Sequence, residues 1–175
     1  MSLFIARCAI AAASLVAIGT TGVASAENPN TIYQDTPTTG THITKPIAVD
    51  SFPLDATYDE LTPAQKQAFR SQYENLPADT DPPYPLHGTR HMMKSISIAQ
   101  QALQENGELS AIVNVDPYGK VKNVAFYAMP SKDVAKVVTY VMLREPFKPA
   151  NCGGKRCAME FPLNLTFRVE YQVPN

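Results

Sequence analysis

The sequence predicts an α+β fold: a small three-stranded antiparallel sheet with helices packed on one face. Three observations carry that reading. Leu109, Ala111, Val113 and Val115 alternate with polar or smaller residues, Asp116-Pro-Tyr-Gly119 supplies a turn, and β-prone sequence resumes from Val121 to Met129, a β-hairpin pattern. A second period-two run, Phe161, Leu163, Leu165, Phe167, Val169 and Tyr171, alternates with Pro162, Asn164, Thr166, Arg168 and Glu170, as expected of a long strand with one buried face. Before and between these runs the apolar residues recur at helical spacing.

In chain order, residues 1–26 read as an export signal peptide. Arg7 gives a short basic start, Cys8 to Gly19 is apolar, and Ala24-Ser25-Ala26 forms a small-residue cleavage site before Glu27. The run from Cys8 to Ala26 is also about long enough to span a bilayer, so a retained anchor is the alternative. Removing the leader from the 175 residues leaves 149, enough for one compact domain with a tail. The whole chain carries 15 Lys and Arg against 16 Asp and Glu, and Arg7 lies in the leader, so the mature chain has a net charge of −2. Such a balance lacks the electrostatic footprint of a nucleic-acid binder, and it gives no attraction to an anionic membrane surface. The expected location is the bacterial periplasm, with a membrane partner only if the leader is retained.

Residues 27–57 are rich in Thr, Pro and Asn and show no sustained period of 2 or 3.6, so an extended or disordered tail is expected there. Residues 58–85 read as a short helix followed by a Pro-rich linker. Thr62 suits an N-cap, Pro63 the first helical position and Gln65 the capping-box position; Leu61, Ala64, Ala68, Phe69, Tyr73 and Leu76 share a face ahead of Pro77. The prolines from Pro77 to Pro85 then favour an extended path.

Residues 86–172 form the main domain. Met92, Ile96, Ala99 and Leu103 predict a helix from about Thr89 to Asn106, with Gly107 as its stop. Ser131 can cap a third helix to about Arg144, with Val134, Val137, Val138 and Val141 in one stripe; its valines would also suit a strand, and the length and the serine favour helix. The final strand closes the sheet if it lies beside the first strand of the hairpin. It would then offer an edge, and Pro162 fits an edge or a strand end. The residues of that edge are Phe161, Leu163, Asn164, Leu165, Thr166, Phe167 and Arg168, and its unpaired main chain is suited to adding a partner's extended segment. Two copies of the chain could also pair through the same edge as a homodimer.

Beyond the leader's Cys8, the cysteines are Cys152 and Cys157, an even number for an oxidising compartment. Their four-residue separation differs from the redox-active spacing and comes with no second cysteine pair for zinc, so a structural disulfide is expected, stabilising by about 2 kcal/mol.

From Asp81 to Val169 the sequence resembles the C-terminal domain of the TonB family. The resemblance rests on Pro83-Tyr84-Pro85, on Gly107 to Val115 with the turn to Gly119-Lys-Val121, on Phe147-Lys-Pro-Ala150 and on Phe161-Pro-Leu-Asn-Leu-Thr-Phe167, in that order. It implies a periplasmic helix-and-sheet module whose last strand, here Phe161 to Arg168, pairs with a short extended segment of an outer-membrane receptor or another envelope protein. The family's transducing member has an anchor with a histidine and a long charged, Pro-rich spacer. Here the leader contains no His, and residues 27–85 are short and lack charge blocks. The expected function is therefore a non-enzymatic interaction module. An energy transducer with an uncleaved anchor is the alternative.

No enzyme, cofactor or metal is expected. His87 and His91 are four apart but lack an HExxH arrangement, and His42 lies in the tail. No G-x-S-x-G, phosphate-binding loop or dinucleotide pattern occurs. Asp79 and Asp81 read as solvated turn residues and Arg144 and Glu145 as helix-end residues. Lys155 and Arg156 read as soluble loop surface, and Met92 and Met93 as core filler.

Overall fold

The computed structural model describes residues 28–33 and 52–169. The expected leader at 1–26, His42 and Tyr171 lie outside them. The fold is mixed α and β, and its elements in chain order are β1 (Thr31–Tyr33), α1 (Pro63–Arg70), β2 (Thr80–Asp81), β3 (Tyr84–Pro85), α2 (Arg90–Leu103), β4 (Gly107–Val115), β5 (Val121–Ala128), α3 (Lys132–Met142), β6 (Phe147–Lys148), β7 (Ala150–Cys152), β8 (Lys155–Cys157) and β9 (Met159–Phe167).

The main sheet runs β1-β5-β4-β9. Its antiparallel part has the expected three strands, with β9 beside β4 in a register from Gly107↔Phe167 to Val115↔Met159. The turn before β5 is built by the Asp116 side chain, which accepts from the N–H groups of Tyr118 at 2.8 Å and Lys120 at 3.0 Å. The odd-numbered residues of β4 and β9 enter one core with Met92 and Ile96 of α2 and Val134, Val138 and Met142 of α3. Helix wins over strand for α3, where the Ser131 hydroxyl accepts from the Val134 N–H at 3.3 Å and Val134, Ala135, Val138, Thr139 and Met142 are buried. The opposite face is not wholly polar as expected. Ile112 and Ala125 are opposite each other in register and both buried, and Pro162 extends the row across β9.

Two expectations need correction. The sheet has a fourth strand, because β1 adds in parallel to β5 with Thr31↔Val124, Ile32↔Ala125 and Tyr33↔Phe126. The segment 27–57, read as a tail, is therefore built into the fold at both of its described ends. Thr31 Oγ1 donates to Thr139 Oγ1 of α3 at 2.9 Å, and Phe52 is buried with its ring edge-on to Phe69. The Leu54 carbonyl accepts from the N–H groups of Thr89 at 2.7 Å and Arg90 at 2.9 Å, so this segment caps α2 in place of the Thr89 side chain, which makes no cap bond. Main-chain bonds of this kind leave no hydrophobic period to read.

Helix α1 has the predicted capping box: the Thr62 hydroxyl accepts from the Gln65 N–H and Gln65 accepts from the Thr62 N–H. It ends at Arg70, six residues before Leu76, and Tyr73 reaches the core from the turn that follows. Helix α2 likewise stops early, with Gln104 in the left-handed region at φ 53°, while Gly107 opens β4. Small accessory pairings close the fold, β2 with β7, β7 with β8, and β3 with β6. The Pro-rich linker thus carries two short strands.

Cys152 and Cys157 are bonded across the β7–β8 hairpin with Cα atoms 6.0 Å apart. Reduction is expected to lower stability by only about 2 kcal/mol, since the closed loop is short. Urea unfolding with and without reductant checks this. A loss large enough to unfold the chain at neutral pH would mean that the bond holds the fold together.

Candidate functional site

Among the described residues, strand β9 lies at one end of the main sheet and pairs with β4 alone. In an antiparallel ladder, main-chain groups alternate between facing the partner and facing away. Four observations fix the parity on β9. Pro162, which has no N–H, occupies an even position. The Glu160 carbonyl accepts from the Tyr73 hydroxyl at 2.8 Å, and the Arg168 carbonyl accepts from Gln100 Nε2 at 3.2 Å. Neither Tyr73 nor Gln100 belongs to β4, whereas the odd-numbered Val169 N–H donates to Asn106 Oδ1 at 2.6 Å, just before β4 begins. Even-numbered residues therefore point their main chain outward. Asn164 and Thr166 keep outward N–H and C=O groups that have no partner among the described residues.

This open stretch is closed at each end. At one end stand Pro162 and Tyr73, whose phenol is raised well above its ordinary pKa first by burial and then by the Glu160 charge, so it remains a donor at neutral pH. At the other end Gln100 is buried on α2, with its amide shared between the Arg168 and Glu105 carbonyls, each at 3.2 Å. Between the edge and α2 lies a groove of about 240 Å³ lined by Met93, Ile96, Ser97, Gln100 and the run Leu165 to Arg168.

No family model, curated protein or solved structure matches the chain.

The residues expected on the edge divide by parity. Phe161, Leu163, Leu165 and Phe167 are buried, so they anchor the strand and are not free to meet a partner with their whole side chains. Thr166 and Arg168 are exposed and Asn164 is half-buried. Reading the sequence alone missed Tyr73, Gln100, Met93, Ile96 and Ser97 as parts of the site. Gln100 left a signal: it continues the Met92 and Ile96 stripe of a buried helix face, and a buried amide must find partners. Met93 is a groove residue as well as core packing.

The other flagged residues lie elsewhere. His87 precedes α2 and so shares no helix face with His91, whose Nδ1 lies 3.2 Å from the buried Glu145 carboxylate. Among the described residues no group of three or more His, Cys, Asp or Glu could hold a metal ion, and no helix is long and apolar enough to cross a membrane. Asp79 is exposed, whereas Asp81 lies in β2 with a half-exposed carboxylate. It accepts from the Tyr58 hydroxyl at 3.1 Å and lies 3.7 Å from Arg70. Burial, and then Asp81, push the Tyr58 phenol up to about 12. Arg144 stacks on the Tyr140 ring, 3.4 Å from its centroid, and Lys155 and Arg156 are exposed in β8.

Proposed function

We propose that the chain is a non-enzymatic interaction module of the bacterial periplasm, similar in habit to the TonB C-terminal domain, which captures an extended segment of an envelope protein by strand addition to β9. The observation that carries this reading is the pair Asn164 and Thr166, whose outward donors and acceptors have no partner among the described residues, on a strand that ends the described sheet. An incoming strand completes those hydrogen bonds, and the buried odd-numbered side chains hold β9 rigid while it does so. The export-type leader and the Cys152–Cys157 bond support an oxidising location. Capture of this kind uses main-chain groups and calls for no cofactor.

Thr166→Pro tests the reading. Proline removes one outward donor and leaves the odd-numbered ladder to β4 in place, while Thr166→Val keeps the donor. In a pull-down from envelope extracts, a protein retained by the wild type and the valine variant should fall at least about tenfold with proline, as expected for loss of more than 1.4 kcal/mol of binding. Equal retention by the proline variant refutes strand addition at this edge.

A further inference from the structure

The geometry points to selection of the captured segment by one aliphatic side chain, which enters the groove between α2 and β9; this rests on the strand-addition reading and specifies its ligand. An added strand bonded to Asn164 and Thr166 lies about 4.8 Å from β9. Its residue opposite Leu165 points to the same face of the sheet as Leu165, which is the face that α2 covers. That side chain therefore arrives in the groove, over Met93 and Ile96 and between the polar shoulders of Ser97 and Gln100. The residues before and after it point to the other face, beside the exposed Thr166 side chain.

The ends of the open edge limit the length. Glu160 and Arg168 have carbonyls already engaged by Tyr73 and Gln100, and Pro162 offers no N–H, so the full ladder on β9 spans only Asn164 to Thr166. A segment of about five residues satisfies it at roughly 3.3 Å per residue. The occupant must supply main-chain donors and acceptors on one side and an apolar group at the central position, which is the chemistry of an extended peptide. Burying an ammonium over the Met93 and Ile96 floor beside the Arg168 cation costs more than burying an aliphatic group there, so a central lysine is rejected. Met93 is unbranched and flexible, so the pocket accepts Leu, Ile or Met alike instead of one shape.

The test uses the full chain and three labelled heptapeptides of threonine with Leu, Thr or Lys at the centre, titrated by fluorescence polarisation. The expected result is that the Leu peptide binds about tenfold tighter than the Thr peptide and that the Lys peptide binds weakest. Ser97→Leu, which fills the groove from an exposed position on α2, should bring the Leu and Thr peptides within about twofold of each other. Thr166→Pro should weaken all three. Equal affinity of the three peptides for the wild type, lost in Thr166→Pro, overturns the side-chain selection and leaves strand addition standing. A Leu preference that survives Ser97→Leu overturns the groove as its source. Binding unaffected by Thr166→Pro, or no binding at about 1 mM peptide, overturns both.

Discussion

Gly119→Ala is expected to destabilise the protein by about 2–5 kcal/mol, from backbone strain of about 1–2 and overpacking of about 1–3. Gly119 sits in the turn between β4 and β5 at φ +80°, where an L side chain is strained. A Cβ there would lie 2.0 Å from the Phe147 carbonyl oxygen and 3.1 Å from its carbonyl carbon. These are main-chain atoms, and they cannot swing aside as a flexible side chain would. The Phe147 N–H also donates to the Gly119 carbonyl at 3.0 Å, so relieving the clash breaks the contact that ties the hairpin turn to β6. Gly154→Ala provides the control. Its φ is +83°, yet nothing lies within 4 Å of the added carbon, so it should cost only the backbone term, about 1–2 kcal/mol. Urea midpoints of the two variants separate strain from steric clash. If Gly119→Ala were no more destabilised than Gly154→Ala, the close approach to Phe147 would not exist in solution.

That turn belongs to the part of the fold most legible in the sequence. Asp116 and Gly119 have side-chain and backbone requirements that act within four residues, and the alternation on either side reports which face each residue takes. The Thr62 and Ser131 caps are local in the same way. The strand β9 is legible by its period, and its place beside β4 is one that a right-handed connection allows, which the register of the structure shows. What escaped notice depends on partners far along the chain. Strand β1 is three residues long and acquires its role from Val124 to Phe126, more than ninety residues away. Leu54 caps α2 through a main-chain oxygen, which any residue type could provide. The sequence pattern suggests an edge on the last strand, but it cannot show the limits of that edge, because they are set by Tyr73 and Gln100 donating across elements to Glu160 and Arg168. The groove depends on α2 standing beside the C-terminal end of β9, a tertiary distance that no pattern in α2 encodes.

Phe69→Ala is expected to cost about 3–5 kcal/mol and, through β9, to change how the protein behaves toward itself. Phe69 is the hub of an aromatic cluster. Its ring centroid lies 6.0 Å from that of Phe52, 6.3 Å from Tyr58, 5.9 Å from Tyr73, 5.3 Å from Tyr84 and 5.9 Å from Phe161. Removing it takes away several edge-to-face contacts and leaves a void among rings too rigid to fill it. Helix α1 has only eight residues, too few to persist without tertiary packing, and Phe69 is its one buried residue. Loosening α1 therefore frees the turn that carries Tyr73, and with it the hydrogen bond to the Glu160 carbonyl that closes one end of the open edge. A longer uncovered edge on β9 favours pairing between two copies of the chain. Tyr73→Phe separates the two consequences, because it removes the bond at a cost of about 1 kcal/mol and leaves the ring in place. The expected outcome is a large loss of stability for Phe69→Ala alone, measured in urea. Sedimentation should show concentration-dependent association in both variants, stronger in Phe69→Ala, and none in the wild type over the same range. If both variants remain monomeric at every concentration tested, then Tyr73 packs against β9 without guarding its edge.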